Sequence, residues 1–354
     1  MSPNPICNKS SKRKRNLRVK AALLVLTSLL AVISGCSGSN AADPSTDAAS
    51  GNASGQLHKM TVMLDWYPNA VHSFLYAAQE KGYFAEEGLE VVLQMPADSN
   101  DALKLAAAGK VDLALSYQPQ VLMARSEEIP VVSVAALVRH PLNHLLVPAD
   151  SGIKSPKELA GKTAGYSSIP LYEAMLRTMV EHDGGDPQSI AMVDVGFDLI
   201  PAITAGRVDA IIGGFINHEQ LILDKENHPV TSIDPTAFGV PDYYELVLVA
   251  GEQGLQESKD YYSKFMNAAR KGQQFVQDHP KEALDILLAH EDSTAPLDPQ
   301  IESRSLDILL PLMDAGDQPF GYQTSESWSR VADWLSGSGL LSGGTESDEA
   351  FLNL

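Results

Sequence analysis

Ala108-Gly109-Lys110-Val111-Asp112-Leu113-Ala114 recurs 97 residues later as Ala205-Gly206-Arg207-Val208-Asp209-Ala210-Ile211. Each copy reads as a helix end, a glycine turn and a strand. Glycine closes a helix in the left-handed conformation at no steric cost, and the valine after it leads an apolar run into a sheet. A repeat at this distance is too long for a solenoid, whose units recur every roughly 20–50 residues. Two similar α/β lobes account for it.

The flanking sequence fits that plan. Residues 60–64, 89–95 and 111–116 read as strands, with Phe74, Leu75, Ala78 and Phe84 at helical spacing between the first two. Residues 98–108 read as a helix. A second unit begins near Ser155, where Ser155-Pro156-Lys157-Glu158 has the form of a capping box with proline at the first helical position. Residues 163–166, 191–195 and 210–213 continue it as strands. The chain from Ser258 onward reads as mostly helical, with Trp328 and Trp334 as core packing on its last amphipathic segment. The expected domains are 57–148 together with 248–354 as lobe one and 149–247 as lobe two. Strands alternating with helices predict a mainly parallel sheet in each lobe. Ligands of such sheets sit beyond the carboxyl ends of the strands, and a gap between lobes is a favoured cleft. The loops after Leu64, Leu115, Ala164 and Gly213 and the crossing near Tyr243 are therefore where a site is expected.

The 354 residues carry 26 basic against 45 acidic side chains. Residues 1–35 hold seven of the basic ones and no acid, so the rest of the chain has a formal charge of −26. A body that acidic repels a phosphate backbone, which excludes nucleic acid as a partner. Both cysteines, Cys7 and Cys36, lie near the amino terminus, so thiol chemistry, disulfides and cysteine metal sites are excluded from the body. The positive segment runs into a 14-residue apolar stretch, 21–34, that is short for a bilayer span of about 20 residues. Ile33-Ser34-Gly35-Cys36 then resembles a bacterial lipoprotein signal, which implies residues 1–35 as signal peptide and a lipid on Cys36. Residues 36–56 are small and polar and read as a flexible tether. The expected location is outside the cytoplasmic membrane, anchored to the bacterial cell by lipid.

Motifs for chemistry are lacking. There is no G-x-S-x-G elbow, phosphate loop, G-x-G-x-x-G fingerprint or H-E-x-x-H pair; His218-Glu219 is followed at the fourth position by Ile222. His140 and His144 have helical spacing, but Pro141 between them argues against a metal pair. No metal and no cofactor are expected. The loop Asp65-Trp66-Tyr67-Pro68-Asn69-Ala70-Val71-His72 stands apart. Structurally, Trp66 covers the core and Asp65 caps a helix. Functionally, the indole stacks on a flat ligand while Asp65 or Asn69 exchanges hydrogen bonds with it. Ser167 and Ser168, ahead of a helix, offer instead a cradle for an anion.

The segments L-D-W-Y-P-N-x-x-H, E-K-G-Y-F-A-E-E-G-L-E-V (80–91), A-A-G-K-V-D-L-A, G-R-V-D-A-I-I-G-G-F-I-N-H-E-Q (206–220) and V-P-D-Y-Y-E-L-V-L (240–248) resemble the thiamine-pyrimidine precursor family. That family holds bacterial substrate-binding lipoproteins for formylaminopyrimidine and fungal enzymes that make hydroxymethylpyrimidine phosphate. The resemblance implies a type II periplasmic-binding-protein fold, two α/β lobes closing on a ligand. It also implies a membrane permease with a cytoplasmic ATPase as partners. Trp66 and one of Tyr117, Tyr166, Tyr172 or Tyr243 would sandwich the pyrimidine. Asp65, Asn69 and Glu219 would address its nitrogens, with His72 nearby. The enzymes carry a lysine and, four residues on, a histidine where this chain has Ser116 and Gln120, and a cysteine cluster where it has Val240-Pro241-Asp242-Tyr243-Tyr244. A binding protein rather than an enzyme is expected. The alternatives are a sulfonate, nitrate or taurine binder of the same fold and a pyrimidine-phosphate synthase.

Overall fold

A computed structural model describes residues 56–98, 101–291, 296–341 and 347–354. The signal segment, Cys36 and the tether up to residue 55 lie outside the described residues. Strand β1 (His58–Met63) leads through α1 (Ser73–Glu80) and α2 (Tyr83–Glu86) to β2 (Leu89–Gln94). Helix α3 (Asp101–Ala107), β3 (Leu113–Ser116), α4 (Gln118–Ser126) and β4 (Val131–Val138) follow. The chain then crosses to β5 (Asn143–Pro148), β6 (Thr163–Tyr166), α5 (Pro170–His182), β7 (Ala191–Asp194) and α6 (Leu199–Thr204). Strand β8 (Ala210–Phe215), α7 (Glu219–Lys225) and β9 (Val230–Ile233) complete that run. It returns as β10 (Leu246–Gly251), then α8 (Glu252–Asp278), α9 (Pro280–Ala289), α10 (Pro299–Met313) and α11 (Ser325–Gly337).

The strands form two five-stranded sheets of the same plan, β2-β1-β3-β10-β4 and β7-β6-β8-β5-β9. In each sheet the fourth strand is the crossing strand and runs antiparallel to its neighbours, while the first three are parallel. The echoed motif does the same work in both. Gly109 and Gly206 take φ of +62° and +65°, the left-handed turn that ends the preceding helix. Asp112 Oδ2 accepts the Thr61 backbone N–H at 2.7 Å in β1, and Asp209 Oδ2 accepts that of Thr163 at 2.8 Å in β6. The aspartate thus fastens the start of the central strand to its parallel neighbour.

Two expectations are corrected. Residues 143–148, assigned from the sequence to lobe one, form β5, which pairs with β8 and β9 of the second sheet. A strand joins the sheet that holds its partners, and here the partners lie some 70–90 residues downstream of β5. The segment at Ser155 is a single 3-10 turn, Pro156–Leu159, without a side-chain cap from Ser155. Glu158 accepts the N–H of Lys154 rather than of Ser155, at 2.6 Å, so the box does not close.

Trp328 is fully buried and stacks on Phe351, as core packing. Trp334 is half-buried and its Nε1 donates to Thr178 of α5 at 3.2 Å.

Candidate functional site

The carboxyl ends of β1, β3, β6 and β8 face one narrow cleft. Asp65, Trp66, Asn69, Val71 and Tyr117 line it from the first lobe, and Ser167, Tyr172, Gly213, Phe215, His218 and Glu219 from the second. Asn69 caps the 3-10 turn after β1, its Oδ1 accepting from Val71 N–H at 3.0 Å and its Nδ2 donating to Tyr67 O at 3.0 Å. His72 is fully buried behind this turn and does not line the cleft. Its Nδ1 accepts the Asn69 N–H at 3.1 Å, which leaves Nε2 as the donor to Asp65 Oδ1 at 2.9 Å. Asp65, only 4% exposed, is thereby held with Oδ2 toward the Tyr117 hydroxyl, 3.4 Å away.

On the facing side, Gly213 has φ +99°, and a Cβ there would sit 2.9 Å from the Tyr172 ring. Only glycine lets Tyr172 lie flat against β8. Burial, reinforced by the nearby acids Asp65 and Glu245, keeps the Tyr117 and Tyr172 hydroxyls protonated far above neutral pH. Glu219 opens α7, its Oε2 accepting from Phe215 N–H at 2.8 Å and its Oε1 lying 2.9 Å from His218 Nδ1. Burial pushes its pKa up, but the His218 charge and these hydrogen bonds outweigh that and hold the carboxyl below its ordinary value. Glu219 is therefore an ionised acceptor beside the cleft.

Trp66 is half-buried, its ring 4.4 Å from Phe197 of the opposite lobe, and Tyr67 meets Phe197 at 5.3 Å. Phe197 was not singled out in the sequence; its signal is its place just past the carboxyl end of β7. Tyr166 and Tyr243, two of the candidate sandwich partners, do not line the cleft. Tyr166 ends β6 near Asp194, and the buried Tyr243 donates to Glu245 Oε2 at 3.0 Å. Tyr117 and Tyr172 do line it. His140 pairs with Asp242 at 3.0 Å and His144 with Ser232 at 2.6 Å, so these two rings are directed apart. Ser116 donates to Gln120 at 3.0 Å.

Residues 69–283 match the NMT1/THI5-like family, and a formylaminopyrimidine-binding protein of Halalkalibacterium halodurans is 46% identical over 84% of this chain and 91% of its own length. The chain belongs to the NMT1/THI5-like family. The chain is also similar to an enzyme: a 4-amino-5-hydroxymethyl-2-methylpyrimidine phosphate synthase of Aspergillus parasiticus is 28% identical over 64% of this chain and 69% of its own length. Among solved structures, the alkanesulfonate-binding protein SsuA of Xanthomonas axonopodis pv. citri superposes with a TM-score of 0.67 at 14% identity, covering 85% of this chain and 100% of its own. That likeness establishes the two-lobe periplasmic-binding-protein fold for this NMT1/THI5-like chain.

Proposed function

We propose that the chain is the solute-binding lipoprotein of an ABC importer, held outside the cytoplasmic membrane by a lipid on Cys36, and that its solute is a thiamine-type pyrimidine precursor. One observation carries the choice of ligand: aromatic rings and two buried carboxylates line the cleft, and no lysine or arginine does. An aminopyrimidine is flat, and its exocyclic N–H groups donate to carboxylates such as Asp65 and Glu219. A sulfonate or nitrate needs the reverse. Of the two serines ahead of α5 that would cradle an anion, Ser168 is turned to Asp194, whose Oδ1 accepts Ser168 N–H at 3.0 Å, Ser168 Oγ at 2.9 Å and Gly196 N–H at 2.9 Å. The identity to a formylaminopyrimidine-binding protein supports the same reading. Ser116 and Gln120, where the resemblance places the lysine and histidine of the synthases, favour binding over catalysis.

Calorimetric titration tests this directly. Formylaminopyrimidine or hydroxymethylpyrimidine should bind and taurine should not, while mass spectrometry of ligand released from purified protein identifies the native solute. Tight taurine binding, or turnover of a pyridoxal phosphate precursor, would overturn the proposal. Metabolic labelling with a fatty acid should tag the wild type and not Cys36→Ala.

A further inference from the structure

Trp66 lines the cleft, and Phe197, which does not belong to that lining, meets the indole from outside it. The two ring centroids lie 4.4 Å apart with their planes tilted by 52°, while Tyr67 meets Phe197 edge to face at 5.3 Å. Tyr67 also stands at 88° to Trp66, 6.0 Å away, so rings of both lobes form one cluster beside the cleft. Tilted and edge-to-face pairs at such separations are the favourable arrangements for aromatic rings.

Each lobe fixes its own rings through polar groups. On the first, Asn69 Nδ2 donates to Tyr67 O at 3.0 Å, and Glu302 of α10, only 2% exposed, accepts the Ala70 N–H at 2.7 Å. On the second, Phe197 sits in the turn between β7 and α6. Val195 N–H donates to Tyr166 O at 2.9 Å and Asp198 N–H to Val195 O at 2.9 Å, with Gly196 at φ +55°. Asp194 Oδ1 ties this turn to Ser168 by accepting from Gly196 and from the backbone and hydroxyl of Ser168. Ser167, the next residue back, lines the cleft. Phe197 is therefore carried by the corner that presents the second lobe's wall. The lobes also meet through Lys225 and Asp298, but both are exposed and such a pair contributes little.

We infer that Phe197 is a positioning residue: packed on Trp66 from outside the cleft, it holds the indole against the ligand and so slows the ligand's release. The inference rests on the stacking of Trp66 in the pyrimidine reading. Without the Phe197 ring the indole loses its support from the second lobe, and the lobes lose an apolar contact at this edge. Release should quicken, whereas encounter, which precedes closure, should not.

The experiment has two readouts. Trp66 emission in ligand-free protein, taken as the difference from Trp66→Phe, reports the ring contact. Stopped-flow release and calorimetry with 4-amino-5-hydroxymethyl-2-methylpyrimidine report its consequence. In Phe197→Ala the Trp66 emission should move to the red as water reaches the indole. The release rate should rise about tenfold, and the association rate should stay within about twofold. In a Trp66→Ala background the same substitution should lose most of its effect on affinity. A Trp66 emission that does not move overturns the inference; so does an unchanged release rate, or an undiminished effect without the indole. Phe197→Leu keeps the bulk and loses the ring, and gives the same readings in smaller measure should the alanine variant not fold. Absence of pyrimidine binding overturns the ligand reading instead, and the emission still judges the ring contact.

Discussion

In the proposed pyrimidine complex Trp66 stacks on the ligand and Glu219 accepts from it, and their substitutions should separate accordingly. Stacking contributes about 0.5–1.5 kcal/mol beyond the area buried. With the lost apolar area, Trp66→Ala should weaken pyrimidine binding by about 3 kcal/mol, on the order of a hundredfold by calorimetry. Glu219→Gln removes the charge from an acceptor, a loss of about 1.5–3 kcal/mol in affinity. Gly213→Ala should damage both fold and binding, since its Cβ would meet Tyr172 at 2.9 Å in a left-handed conformation. A Gly213→Ala protein with unchanged melting temperature and affinity would refute that role. The Asp65–His72 loop was legible because proline, asparagine and an indole follow a strand directly. Phe197 and Glu302 were not, since Trp66 and Ala70, which they respectively meet, lie more than a hundred residues away in sequence. His218 stood in view only as half of a failed zinc motif.

At the scale of elements, the repeated aspartate makes a controlled comparison. Asp112 and Asp209 occupy equivalent positions and accept equivalent backbone donors, but the first bond is partly buried and the second exposed. A hydrogen bond to a charged group contributes about 1.5–3 kcal/mol when water does not compete. Asp112→Ala should therefore cost near the lower end of that range in denaturant unfolding, and Asp209→Ala clearly less; equal losses would mean that exposure does not set the value. The strands flanked by these motifs were readable from apolar runs between glycine turns. The crossing strands were harder. Nothing local in Asn143–Pro148 tells that it pairs with β8 and β9, because membership of a sheet is a long-range property. The repeated motif pointed to two lobes; pairing supplied their boundary.

For the whole molecule, the two connections between the sheets are fastened by one side chain. Glu245, fully buried in the second connection, accepts through Oε2 from Leu142 N–H at 2.7 Å and Asn143 N–H at 2.9 Å of the first, and from the Tyr243 hydroxyl at 3.0 Å. Its Oε1 has no partner. Those three donors favour the carboxylate, but burial outweighs them and, with Asp65 adding repulsion, lifts the pKa to about 7 from an ordinary 4.5. The folded protein therefore keeps this proton after the unfolded chain has lost it. Below pH 4.5 both states are protonated and the group's favourable contribution is complete. As pH rises from 4.5 through 7 that contribution is lost, by up to about 3 kcal/mol. Glu245→Gln carries no such titration. Comparing urea unfolding of the two proteins from pH 5 to 8, the stability difference should move in favour of the glutamine variant by about 2 kcal/mol, mostly below pH 7. A difference that stays constant over that range would show that Glu245 remains ionised, its charge carried by the donors of both connections.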